Sequence, residues 1–169
     1  MKFGVSLREP VQALVAIGAN LGDPLRAVRD AIQSLGQLPL SRLQAISSLY
    51  RTAPLAAHGP DYINAAVLLD TRLTAPELLS HLQQLETVAG RVRPYPNAPR
   101  TLDLDVVFYG TGSIDSPRLT VPHPRWQERA FVLLPVQELV PERVSPALLS
   151  EVSSQRIERL VGSCSGGPG

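Results

Sequence analysis

Lysine is nearly absent from this chain. Of 169 residues 16 are basic, and Lys2 is the one lysine among them; the rest are arginine. Chemistry built on an internal lysine is thereby excluded, whether a P-loop lysine, a Schiff base or the strand lysine of a protein kinase. Cysteine is as scarce: Cys164 stands alone in Gly162-Ser163-Cys164-Ser165, cannot close an internal disulfide, and makes a poor nucleophile candidate. Aromatic residues make up 5% and the formal net charge is +1, so the stacking surface and basic excess of a nucleic-acid binder are missing. No apolar run approaches the ~18 residues that cross a bilayer. Residues 1–10, an N-terminal extension, carry Arg8 and Glu9 where a secretory signal would be apolar. These absences lead us to expect a cytoplasmic protein without nucleic-acid or membrane partners.

What remains is ordinary globular material, 44% hydrophobic and 18% charged. The length suits a single domain over residues 1–169, large enough to bury roughly 68–70% of its unfolded surface. Val11 to Gly18 reads as a buried strand. Asp23-Pro24 is a helix start, an acidic N-cap followed by proline, and Leu25, Val28, Ile32 and Leu35 follow at helical spacing to Gly36. Leu43 to Thr52 and Tyr62 to Arg72 read as strands. Thr74 and Glu77 form a capping box for a helix that runs to Gly90. A proline-rich loop, residues 93–99, leads into a strand from Thr101 to Tyr109, and Gly110-Thr111-Gly112 turns it into a short strand around Ser113 to Leu119. The remainder reads as helical pieces broken at Pro135, Pro141 and Pro146, with a packed terminal helix over Val144 to Leu160 and a flexible tail over 161–169. The order β-α-β-β-α-β predicts an α+β fold, a ferredoxin-like sandwich with a mostly antiparallel sheet, extra strands and C-terminal helices.

Arg100-Thr101-Leu102-Asp103-Leu104-Asp105 carries the chemistry. On a strand Asp103 and Asp105 share a face, roughly 6.6 Å apart, while Leu102, Leu104 and Val106 face a core. Two adjacent carboxylates repel unless a cation lies between them, and hard oxygen donors of this number suit Mg²⁺ shared with substrate phosphates. Alone, the pair would read as solvated aspartates on a strand edge. Its surroundings argue otherwise: Arg91, Arg93 and Arg100 precede it, and Arg118, Arg125 and Arg129 follow. Guanidinium forks match phosphate oxygens and stay charged when partly buried. Acids for a metal among arginines for phosphates form the set that phosphoryl transfer uses. Gly18-Ala19-Asn20-Leu21-Gly22 lacks the Lys-Ser/Thr of a phosphate loop and reads as a tight turn. His123, between Pro122 and Pro124, is equally a structural or a binding residue, and His58 and His81 have no zinc spacing.

Several blocks together resemble a known family. They are residues 18–23 (GANLGD), 50–55 (YRTAPL), 60–67 (PDYINAAV), 90–93 (GRVR), 98–105 (APRTLDLD) and 118–124 (RLTVPHP). In order and spacing they look like the 6-hydroxymethyl-7,8-dihydropterin pyrophosphokinases of folate biosynthesis, over roughly residues 13–142. The resemblance implies transfer of pyrophosphate from ATP to the pterin hydroxymethyl group, with AMP released and no covalent intermediate. It implies two Mg²⁺ on Asp103 and Asp105, an ATP site of Gln83, Glu86, Arg91, Arg100, Arg118, Thr120, His123 and Arg129, and Arg93 in a catalytic loop. It implies a pterin pocket of Thr52, Pro54, Leu55, Tyr62, Asn64 and Phe131, and a monomer. These residue types suit the task, since Tyr62 and Phe131 offer faces for stacking and Asn64 offers both donor and acceptor. One departure stands out: many relatives carry Arg-Trp-Gly-Pro-Arg where this chain has Pro96-Asn97-Ala98-Pro99-Arg100. The competing readings are a non-catalytic ferredoxin-like module that binds a ligand or RNA, and a degenerate, inactive member of the family.

Overall fold

The computed structural model describes residues 8–54, 59–90 and 102–160. The chain forms β1 (Val11–Ala19), α1 (Pro24–Leu35), β2 (Ser41–Ile46), β3 (Tyr50–Thr52), β4 (Tyr62–Thr71), α2 (Ala75–Ala89) and β5 (Asp103–Tyr109). Then come β6 (Ile114–Asp115), β7 (Thr120–Val121), α3 (Ala130–Leu139), α4 (Pro146–Glu151) and β8 (Ile157–Arg159). The main sheet runs β5-β1-β4-β3-β8, with β2 also paired to β4, and all these pairs are antiparallel. This is the expected ferredoxin-like arrangement. Both predicted helix starts are present. Asp23 accepts from the Arg26 N–H at 3.1 Å, and Thr74 and Glu77 exchange side-chain-to-backbone bonds across the first turn of α2. Each cap satisfies N–H groups that a helix start otherwise leaves unpaired.

Strand alternation divides the molecule into two layers. Val15 and Ile17 of β1, Val67 and Leu69 of β4, and Leu104 and Val106 of β5 face α1 and α2 in one apolar cluster. Leu14, Ala66 and Leu68 face the other way, against Trp126, Leu133 and Val136. β5 slips register against β1 between Leu14 and Val15. The bulge sends both Val107 and Phe108 to the α3 side, where simple alternation would part them. Phe108 meets Trp126 edge-on at 4.9 Å, and the Arg143 guanidinium lies 4.2 Å from the centre of the Phe108 ring.

Four expectations need correction. The strand predicted over Leu43 to Thr52 is two strands, because Ser47 interrupts it: its N–H bonds the Ala66 carbonyl at 2.9 Å and its hydroxyl accepts from the Ala66 N–H at 2.8 Å. A side chain thus takes the place of backbone pairing. The strand around Ser113 to Leu119 is reduced to β6, paired only with β7 in a separate small ribbon. Pro135 does not break α3 but lies buried within it, held by the packing of Leu133 and Val136 against the sheet. The helix over Val144 to Leu160 is instead short α4 followed by β8, which covers the outer edge of β3 and adds an Arg51–Glu158 ion pair at 3.7 Å. The edge's unpaired backbone groups outweigh the local pattern there. The proline-rich loop and the predicted tail lie outside the described residues.

Candidate active site

On the α3 side the core does not fill the sheet. β1 presents Ala16 and Gly18 there, side chains too small to reach α3, and above them opens a cavity of about 360 Å³. That volume is in the range of small-molecule sites. Register puts Asp103, Gly18, Asn64 and Tyr50 in one row across β5, β1, β4 and β3. At ~4.8 Å per strand, Asp103 and Asn64 stand about 9.6 Å apart with only Gly18 between them. The row therefore has a carboxylate at one end, an amide further in and a bare backbone floor.

Asn64 and Thr52 line the cavity although both are buried, at 4% and 7% exposure. The Asn64 Nδ2 donates to the Thr52 hydroxyl at 2.8 Å, and its Oδ1 faces Gly18, where an added Cβ would lie 3.1 Å away. The pair is fixed by its own hydrogen bond, and the Thr52 O–H remains a donor for a ligand edge. Tyr62 and Phe131, both half-buried, contribute aromatic walls, with Ala53 and Pro54 beside them. Arg129 stands 5.6 Å over the Phe131 ring, a cation–π contact that brings a guanidinium to the same opening.

The charged side lies along β5. Asp103 is half-buried and Asp105 exposed, and both border the cavity, as expected of alternate residues on one strand. His123 is tied to the outer edge of β5 by its N–H on the Val107 carbonyl at 2.9 Å. Its Nδ1 accepts from the Arg125 N–H at 3.1 Å, which leaves the ring proton of the neutral form on Nε2. Burial holds its pKa below the usual imidazole value; the charge of Asp105 opposes this, and Arg129 and Arg125 add to it. Among the described residues no three His, Cys, Asp or Glu side chains converge on a metal position. Two carboxylates are enough for Mg²⁺ when phosphates complete the shell.

Of the residues singled out from the sequence, Thr52, Pro54, Tyr62, Asn64, Asp103, Asp105, His123, Arg129 and Phe131 meet at this cavity. Gln83, Glu86, Arg118 and Thr120 do not line it. Glu86 accepts from the Leu104 N–H at 2.9 Å and Arg118 reaches the Ser80 hydroxyl at 3.5 Å, so they flank the outer edge of β5. Leu55, Arg91, Arg93 and Arg100 lie outside the described residues. Sequence reasoning missed Ala16, Gly18, Asn20, Ala53, Val107 and Val132, which also line the cavity. For Ala16 and Gly18 a signal existed, two small residues at alternate positions on the same face of the strand as Leu14.

Comparison with known proteins agrees with this geometry. Residues 14–141 match the sequence model of 7,8-dihydro-6-hydroxymethylpterin-pyrophosphokinase (HPPK). A Pseudomonas aeruginosa 2-amino-4-hydroxy-6-hydroxymethyldihydropteridine pyrophosphokinase is 42% identical over 156 residues, covering 88% of this chain and 96% of that protein. The enzyme of the same name from Haemophilus influenzae is 38% identical over 152 residues, covering 89% and 91%. Among solved structures, a Plasmodium falciparum HPPK-DHPS variant with pteroate superposes at a TM-score of 0.69 with 12% identity, over 91% of this chain and 47% of that one. An HPPK-DHPS in complex with substrates gives 0.60 and 12%, over 86% and 43%. At such identity these share the fold, and this chain spans less than half their length.

Proposed function

This chain belongs to the 7,8-dihydro-6-hydroxymethylpterin-pyrophosphokinase family, and from that premise we propose how its cavity carries out the family's reaction. It is a pyrophosphokinase: pyrophosphate passes from ATP to the hydroxymethyl group of 6-hydroxymethyl-7,8-dihydropterin, and AMP leaves. One observation supports the reading most. A buried amide–hydroxyl pair, two aromatic faces and two same-face carboxylates open into one cavity. A module that bound ligands without catalysis would have no use for the carboxylates at the end of that row.

The flat pterin stacks between Tyr62 and Phe131. Its polar edge meets the Asn64 Oδ1 and the Thr52 hydroxyl, and Pro54 closes the same end; Leu55 is assigned to the pocket by the family resemblance alone. Held this way, the ring spans the Gly18 floor and its hydroxymethyl group extends toward Asp103 and Asp105. Those carboxylates would hold Mg²⁺, two ions in our reading; their oxygen-only chemistry and shared face fit the metal. Bound with ATP, Mg²⁺ would neutralise phosphate charge and hold the phosphates for in-line attack.

The nucleotide runs along the outer edge of β5, where Glu86, Arg118 and His123 lie, with Gln83 and Thr120 joining them by family resemblance and Arg129 at the junction with the pterin. The neutral His123 donates from Nε2, and Arg129 meets phosphate oxygens with a fixed charge. Arg91 and Arg100 belong to the same phosphate set by family resemblance, and Arg93 to the catalytic loop. The hydroxymethyl oxygen attacks the β-phosphorus, the bond from that phosphorus to the α–β bridging oxygen breaks, and AMP departs with that oxygen. Positioning and charge neutralisation supply the catalysis. We further infer a monomer, as the family resemblance implies, working in the cytoplasm.

Purified protein incubated with ATP, Mg²⁺ and the dihydropterin is expected to release AMP. Release of ADP would defeat the transfer chemistry, and no turnover at all would favour the degenerate-member reading.

A further inference from the structure

Glu138 lies outside the cavity and has no part in the reaction above, yet four contacts converge on its carboxylate. Its Oε2 accepts from the Ser48 N–H at 2.9 Å and from the Tyr50 hydroxyl at 2.9 Å. Its Oε1 accepts from the Ser48 hydroxyl at 2.7 Å and pairs with the Arg159 guanidinium at 3.2 Å. One side chain of α3 thus grips the segment before β3, β3 itself and β8.

Of these elements, α3 carries Phe131 and β3 carries Thr52 on the lining of the pterin pocket. Glu138 follows Phe131 by two turns of α3, so both project from one side of the helix. Tyr50 precedes Thr52 by two residues on β3 and shares its face, and it stands opposite Asn64 in register. Thr52 in turn takes the Asn64 amide hydrogen. β3 is three residues long, and its outer neighbour β8 is no longer, so backbone pairing alone holds that wall weakly.

We propose that Glu138 is a positioning residue for the pterin, setting the gap between Phe131 on α3 and Thr52 with Asn64 on the sheet. The inference rests on the pyrophosphokinase reading. Hydrogen bonds to a charged acceptor are stronger and shorter than neutral ones, which suits a brace that must hold the Phe131 face at a fixed distance from the polar pair. Burial, then the neighbouring Glu138, raises the Tyr50 pKa well above its ordinary value, so its hydroxyl remains a donor. A ring stacked on Phe131 must keep its polar edge within hydrogen-bond reach of Thr52 and Asn64, and a misplacement of 1 Å can cost about 100-fold.

The test compares Glu138→Gln and Tyr50→Phe with the unaltered protein. Glu138→Gln keeps the shape but gives up the charge and one acceptor. Pterin KM is expected to rise by about tenfold in Glu138→Gln and less in Tyr50→Phe, with the KM for ATP unchanged, inside the limit that misplacement sets. Equilibrium binding of the pterin beside a non-transferring ATP analogue should weaken in parallel. A lowered melting temperature with an unmoved pterin KM would overturn the proposal, leaving Glu138 a structural brace only. Should Glu138→Gln fail to fold, Tyr50→Phe decides alone, since it removes a single oxygen. If the unaltered protein turns over and the variants match it, this inference fails by itself. If the unaltered protein neither binds pterin nor releases AMP, the underlying reading fails and takes this one with it.

Discussion

The two faces of the sheet are made from the same strands and do opposite things. Toward α1 and α2, β1 presents Val15 and Ile17 between the valines and leucines of its neighbours, and the layer is closed. Toward α3, one residue along in each case, it presents Ala16 and Gly18, and the layer opens into a cavity. Strand geometry makes the choice sharp, since neighbouring residues must face opposite sides. The face toward α1 and α2 is packed apolar core, whereas the α3 face combines a packed part with the cavity that carries the chemistry. Substitutions a single position apart should affect different properties.

The sharpest way to break that division is Asp105→Ala. Because Asp105 is exposed on the cavity side, AMP release should fall by roughly three orders of magnitude, as for loss of a key electrostatic group, while the melting temperature stays near that of the unaltered protein. Near-normal turnover would remove this carboxylate from the site. Leu69→Ala tests the other face: Leu69 has no exposed surface, so denaturant unfolding should show a loss of about 2–5 kcal/mol, with KM values unchanged at low temperature. A large KM change would mean the faces are coupled. Gly18→Ala is subtler, since its Cβ would press on the Asn64 Oδ1 at 3.1 Å. Pterin KM should rise by about tenfold, the worth of one misaligned hydrogen bond, with little change in stability. The smallest effect belongs to Thr74→Ala, which removes the α2 cap far from the cavity and should cost about 1 kcal/mol without altering AMP release.

Much of this fold is legible because its signals are local. Asp23-Pro24 and Thr74 with Glu77 announce helices through hydrogen bonds that close within one turn. The alternation of Leu102, Asp103, Leu104 and Asp105 announces a half-buried strand with paired acids. Three of the four errors involve partners distant in sequence. Ser47 ends β2 because it bonds Ala66. Ile157 to Arg159 become a strand because β3 offers an edge. Pro135 stays helical because the sheet packs against it. No window of neighbouring residues contains those reasons.

The site divides in the same way. The sequence by itself determined which chemical groups exist: two aspartates two residues apart, arginines in place of lysines, an asparagine and an aromatic pair in recognisable blocks. It also determined that the acids share a face, because a strand allows nothing else. Only the tertiary structure decided that Asp103 and Asn64 would stand in one row across three strands, with Gly18 as the gap between them. It alone decided that Glu138 would reach back to Tyr50 and Ser48, across 90 residues of chain to the latter. Covalent spacing fixes what neighbours can do, whereas register and layer packing depend on every strand finding its partner at once.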